Sequence, residues 1–264
     1  MEPSLCSALF GFNEYGPFCG LVIKYVNHYV LETGCWGGGA TLRVAKNLAE
    51  SQKGARVLVI AAETNTIMNF RKPIEDTLYK VDGFQAHVAF GDGAAAVIIG
   101  SDALPSERPI FEICWSTQVS PPETWAAMHA NLSEHGLLQY LGKDYVPTLI
   151  TKYLPEIATE GRALVGNPEP RDMFWIVHPG AWKILEVVAE AMGLDKDHLQ
   201  PSWNTLRDYG NMSSPTCLFV LNEMRNLSKR TGASTTGRGN EWGMLLGFGP
   251  GFNMEVSLLR SFPQ

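Results

Sequence analysis

The sequence predicts an α/β fold in two lobes, and three observations carry that reading. Continuous apolar runs of strand length recur at residues 56–62, 94–100 and 174–177, as in strands buried on both faces. Stretches with apolar residues at helical spacing lie between them, so strand and helix alternate. The polar stretch 101–109, with two prolines, is the best boundary in the chain. It separates residues 1–104 from residues 105–264.

Taken in order, residues 29–31 read as a short strand leading into Gly34-Cys35-Trp36. Residues 40–50 read as a helix, with Ala40, Val44 and Leu48 on one stripe. The strand 56–62 follows, then an irregular region, then Gly91-Asp92-Gly93 opening the strand 94–100. In the second half, 110–119 reads as a strand, 146–157 as a helix and 174–177 as a buried strand. The stretch 182–192 has Leu185, Val188, Ala189 and Met192 at helical spacing. Ser214-Pro215 reads as an N-cap and first-turn proline opening a helix through Arg225. Two final strands, 244–248 and 252–258, meet across Gly249-Pro250-Gly251. In the last, Phe252, Met254, Val256 and Leu258 alternate with Asn253, Glu255 and Ser257, the pattern of a half-buried strand.

Composition excludes several classes. With 45% hydrophobic and 18% charged residues the chain can build a core, so wholesale disorder is excluded. A net charge of −6 argues against a general nucleic-acid binder, which needs a clustered basic surface. Five cysteines, odd in number and widely spaced, make neither a disulfide framework nor a zinc site. They fit a reducing, intracellular setting. No secretory signal and no apolar run of membrane-spanning length is present, so a soluble cytosolic protein is expected.

Three residues could carry chemistry. Cys35 precedes three glycines and a helix, where the helix dipole would lower a thiol's pKa. His178 ends a buried strand, at the edge where α/β proteins build sites. Asn211 lies in a loop just before a helix. Each alone has a bland reading: an inert thiol, a structural histidine, a turn asparagine. Together they form a nucleophile, a base and an amide donor. Papain-like proteases share the order Cys, His, Asn, but only the His spacing agrees here and the rest of their cysteine motif is missing.

Six blocks in register carry a more specific similarity: 34–50, 54–63, Phe90-Gly91-Asp92-Gly93-Ala94-Ala95-Ala96, Trp175-Ile176-Val177-His178-Pro179-Gly180, 208–214 and 247–251. From about Gly20 to the end, the chain resembles the plant chalcone synthase-like type III polyketide synthases. The resemblance implies a thiolase-like layered α-β-α-β-α fold of two similar lobes, homodimeric, with no metal or bound cofactor. It implies Cys35 as the acyl-accepting nucleophile, with His178 and Asn211 completing a triad. Phe90 matches the family's aromatic gatekeeper, and Ser213 and Pro250 match cavity-wall positions. Asp92 and Glu63 read as scaffold carboxylates. A pocket glycine of the family stands as Ala130 here, and a second aromatic gatekeeper as Gln139. The family's N-terminal portion has no counterpart in residues 1–19, so the first lobe is expected to be N-terminally truncated, with uncovered strands. The implied activity is decarboxylative condensation of an acyl-CoA starter, of phenylpropanoyl type, with malonyl-CoA. A fatty-acid-type ketoacyl synthase and a weakly active or non-catalytic relative are the alternatives.

Overall fold

The structure, a computed structural model, describes residues 8–11, 34–65, 89–133, 136–142 and 144–264. The strand expected at 29–31 lies outside them. Seven strands form one mixed sheet in the order β2-β3-β1-β4-β9-β8-β7: β1 Ala8–Gly11, β2 Arg56–Glu63, β3 Gly93–Gly100, β4 Phe111–Val119, β7 Phe174–Val177, β8 Trp242–Gly249 and β9 Asn253–Ser261. A separate hairpin pairs β5 Met128–Ser133 with β6 Gly136–Leu141. The described helices are α1 Gly37–Ser51, α2 Tyr145–Ala163, α3 Trp182–Met192, α4 Gln200–Tyr209 and α5 Thr216–Thr231.

Layering follows from what the helices touch. α1 packs on β2 and β3 and also on β8 and β9, while α5 packs on β3, β7 and β8. The sheet therefore curls around a shared helical pair. α2 packs on β9 from the opposite side and pairs with α3. One apolar core lies in the second half, between α2, α3 and the faces of β7, β8 and β9. The other joins both halves: Leu42, Val59 and Ile99 with Ile176, Leu221 and Leu245.

Most expected elements form, with instructive differences. α1 begins at Gly37, earlier than expected, and α2 runs to Ala163 through Pro155. α5 begins at Thr216 with Pro215 as its N-cap and continues to Thr231; Ser214 does not cap it. The helix α4 and the β5–β6 hairpin are not foreseen from the sequence. The strand β2 is not buried on both faces, as its apolar run suggested. Val59 and Ala61 are buried, but Leu58 and Ile60 are 43% and 65% exposed. β9 errs in the opposite sense: Glu255 and Ser257, expected to face solvent, are 0% and 1% exposed.

Candidate active site

Cys35 sits in a single 3-10 turn, Gly34–Trp36, that runs into α1. Gly34 has φ +64°, a left-handed conformation that glycine adopts without penalty. A side chain there would meet Pro250 Cδ at 3.6 Å and Ser213 Oγ at 3.8 Å. Gly249 in turn lies so close to Trp36 that a Cβ would come within 2.5 Å of its Cδ1. A Cβ on Gly38 would collide with the Ser214 carbonyl. The glycines flanking Cys35 thus let the protein's own backbone approach, pressing the start of α1 against β8 and the start of α5.

Asn211 arrives from the loop between α4 and α5. Its backbone N–H donates to Ala89 O at 2.7 Å and its carbonyl accepts from Gly91 N–H at 3.0 Å, which locks it beside Phe90 in a parallel bridge. Its Oδ1 accepts from Ser213 N–H at 2.8 Å, and Ser213 takes φ +65°. The amide then lies against the thiol, with Cys35 Sγ 3.6 Å from Asn211 Nδ2, 3.8 Å from Oδ1 and 3.7 Å from Ser213 Oγ. Asn211 Nδ2 also donates to Gly180 O at 3.2 Å, so the loop carrying His178 is tied to the same amide. His178 follows β7, its backbone N–H donating to Leu246 O at 2.8 Å. Its side chain is 1% exposed, yet neither ring nitrogen has a hydrogen-bond partner. Nε2 lies 3.7 Å from where a Cβ of Gly180 would stand.

This geometry can be set beside known proteins. The family model for the C-terminal domain of chalcone and stilbene synthases matches residues 112–263, more than half of the chain. The chain belongs to that family. The model for the N-terminal domain of the same synthases matches residues 17–103. The mixed α/β architecture described above is consistent with the thiolase-like fold of chalcone synthase domains.

Within that family frame, the electrostatics depart from the expectation of a ready thiolate. Burial pushes the Cys35 thiol above its ordinary value; hydrogen bonds from Ser213 and Asn211 oppose the shift, and the charge of Glu63 adds to it. The residue keeps some exposure, but the sulfur is walled by the contacts just described. Desolvation also pushes His178 down to about 3. Desolvation thus works against charge on the thiol and on the imidazole alike. Cys114 and Cys217 are buried and both pushed up to about 12, chiefly by desolvation, which marks them as inert. Cys6 and Cys19 lie outside the described residues.

The pocket positions sort by what the backbone does. Pro250 packs over Gly34, and Gly251 N–H donates to Met128 O at 2.6 Å, so the Gly-Pro-Gly turn joins the β5–β6 hairpin to the cysteine turn. Ala130 and Gln139 are direct cross-strand partners on that hairpin; their side chains lie outside what the structure describes. Sequence reasoning placed Ser213 on a cavity wall and missed its contact with the thiol. The signal was available, because a serine two residues after a site asparagine can share its turn. Among the described residues, no helix is long and apolar enough to cross a membrane.

Proposed function

We propose that this chain condenses an acyl-CoA starter, of phenylpropanoyl type, with malonyl-CoA to build a polyketide. One observation supports it above the others: a buried histidine with two unpartnered ring nitrogens, on a loop whose Gly180 carbonyl is held by the amide of a Cys–Asn–Ser cluster. Buried polar atoms are nearly always bonded, so an unpaired ring at a site reads as waiting for a ligand.

In the proposed reaction Cys35 Sγ passes its proton toward His178 and attacks the thioester carbonyl, and coenzyme A leaves with a proton. Malonyl-CoA then loses carbon dioxide. The electron pair of the broken C–C bond becomes an enolate, whose oxygen accepts from His178 N–H and Asn211 Nδ2. The enolate carbon attacks the acyl-cysteine, the new C–C bond forms, and Cys35 leaves as thiolate. These donors do the charge stabilisation, so no resident metal or cofactor is required. Cys35, His178 and Asn211 are the proposed catalytic residues; Phe90, Ala130, Gln139, Ser213 and Pro250 line the proposed pocket. The cytosol and a homodimer are the proposed setting.

The test is incubation of the protein with several acyl-CoAs and labelled malonyl-CoA, read by mass spectrometry. The expected result is a polyketide, lost completely in Cys35→Ala, with residual malonyl-CoA decarboxylation carried by His178 and Asn211. A single linear 3-oxoacyl thioester alone would favour a fatty-acid-type synthase, and no acyl-enzyme with any starter would favour a non-catalytic relative.

A further inference from the structure

Glu255 is an ionisable residue that the proposed chemistry does not use, yet it is completely buried near the start of β9. Its carboxylate is held by Arg43 of α1 in a two-pronged pair, Nε to Oε2 and Nη2 to Oε1, both 2.9 Å. Burial raises the Glu255 carboxyl and Arg43 opposes that; the bidentate geometry is that of an ionised pair. A Cβ on Gly39 would lie 2.7 Å from the Cβ of Glu255. The first two turns of α1, immediately after Cys35, are therefore seated on this one glutamate.

Arg43 does not stop there. Its Nη2 also donates to Gln118 Oε1 at 2.8 Å, across the sheet on β4, where Gln118 is the register partner of Glu255. Gln118 Nε2 donates to Ser120 Oγ at 3.4 Å, and Ser120 Oγ donates to Asn253 Oδ1. Asn253 Nδ2 donates to the Pro250 carbonyl at 2.5 Å. Pro250 is the residue that packs on Gly34. The hydrogen bonds thus leave α1 on one side of Cys35 and return to the cysteine turn on its other side.

We propose that Arg43 and Asn253 are positioning residues for Cys35, acting through a hydrogen-bonded chain from Glu255 by way of Gln118 and Ser120 to Pro250. The chain holds the Gly-Pro-Gly turn against Gly34, and with it the turn that carries the thiol. Neither residue touches the thiol. The proposal rests on the reading of Cys35 as the nucleophile, but its test does not require turnover.

The experiment measures Cys35 alkylation by iodoacetamide across pH in the full chain, by peptide mass spectrometry, with Cys114 and Cys217 read in the same samples. In Asn253→Ala the turn loosens, the thiol's surroundings change and its pH profile shifts. A one-unit shift changes the alkylation rate about tenfold at a fixed pH below the titration, with Cys114 and Cys217 still protected. Arg43→Lys should act in the same direction, and the double variant should exceed the larger single effect by little. Gln118→Ala, on the exposed part of the chain, repeats the test where folding is not at risk. An unchanged Cys35 profile in these variants, effects that multiply, or Cys114 and Cys217 labelling at the same rate as Cys35 would overturn the proposal. Where condensation is measurable, kcat should fall with KM unchanged. Absence of any acyl-enzyme in the wild type would defeat the proposed function and leave the alkylation result to decide this one.

Discussion

β2 and β9 lie in the same sheet and reverse each other's sequence pattern. β2 reads Arg-Val-Leu-Val-Ile-Ala-Ala-Glu, apolar on both faces, and only the face carrying Val59 and Ala61 is covered. β9 reads Asn-Met-Glu-Val-Ser-Leu-Leu-Arg-Ser, polar on alternate positions, and both faces are buried over most of its length. The difference is position relative to the helices. β9 lies between α1 on one side and α2 on the other, whereas among the described residues β2 has α1 on one side only. Polar residues tolerate β9's interior because each finds a partner: Glu255 has Arg43, and Ser257 Oγ lies 2.9 Å from Ser116 Oγ. The candidate site depends on the well-covered end. His178, Asn211, Ser213 and Pro250 all come from the second half, and Cys35 reaches Asn211 and Ser213 from the turn before a helix packed on β8 and β9.

The contrast can be broken by substitution. Leu246 is fully buried in β8, and its carbonyl receives the His178 N–H. Leu246→Ala should destabilise by about 4 kcal/mol through cavity formation, measured by urea denaturation, and should lower activity with it. Next in size is Arg43→Met, which strands Glu255 without its cation. The expected cost is about 3 kcal/mol, and the loss should shrink at acid pH, where the carboxyl can take up a proton.

A smaller effect sharpens the same contrast through pH. His178 is held neutral in the fold, near 3 against an ordinary 6.5. Between those values the unfolded chain binds a proton that the folded chain refuses, so stability should fall as pH drops from 6.5 toward 3. Denaturation midpoints compared at pH 7 and pH 4.5 should show this loss, and His178→Gln should flatten it. Smallest of all is Ile60→Thr on β2. The residue is 65% exposed, so the change should move stability by no more than about 0.5 kcal/mol while reducing aggregation seen by light scattering. A cost as large as that of Leu246→Ala would show that something covers this face in solution.

The site was legible in the sequence to the extent that its residues sit at element ends. Cys35 before a glycine run, His178 after a four-residue apolar strand and Asn211 before a helix are local patterns, and the chain brings Cys35 and Asn211 into contact. The protonation states were not legible. A helix start argues for a thiolate, but desolvation depends on which atoms surround the sulfur, and those come from residues 176 to 215 positions away in the chain. Ser213 was underestimated for the same reason, since its role appears only when two distant loops meet.

By itself the sequence determined the alternation of strand and helix, the strand identities of 56–62, 94–100 and 174–177, and the turn at Gly249-Pro250-Gly251. Those are local matters of periodicity and backbone preference, settled within about ten residues. Only the tertiary structure decided which strand faces are dry. An apolar run licenses burial without supplying the second layer, so β2 keeps Leu58 and Ile60 in contact with water. An alternating strand is buried on both sides when helices cover both and its polar groups are paired, and in β9 the partner that made this possible for Glu255 is Arg43, more than two hundred residues earlier in the chain.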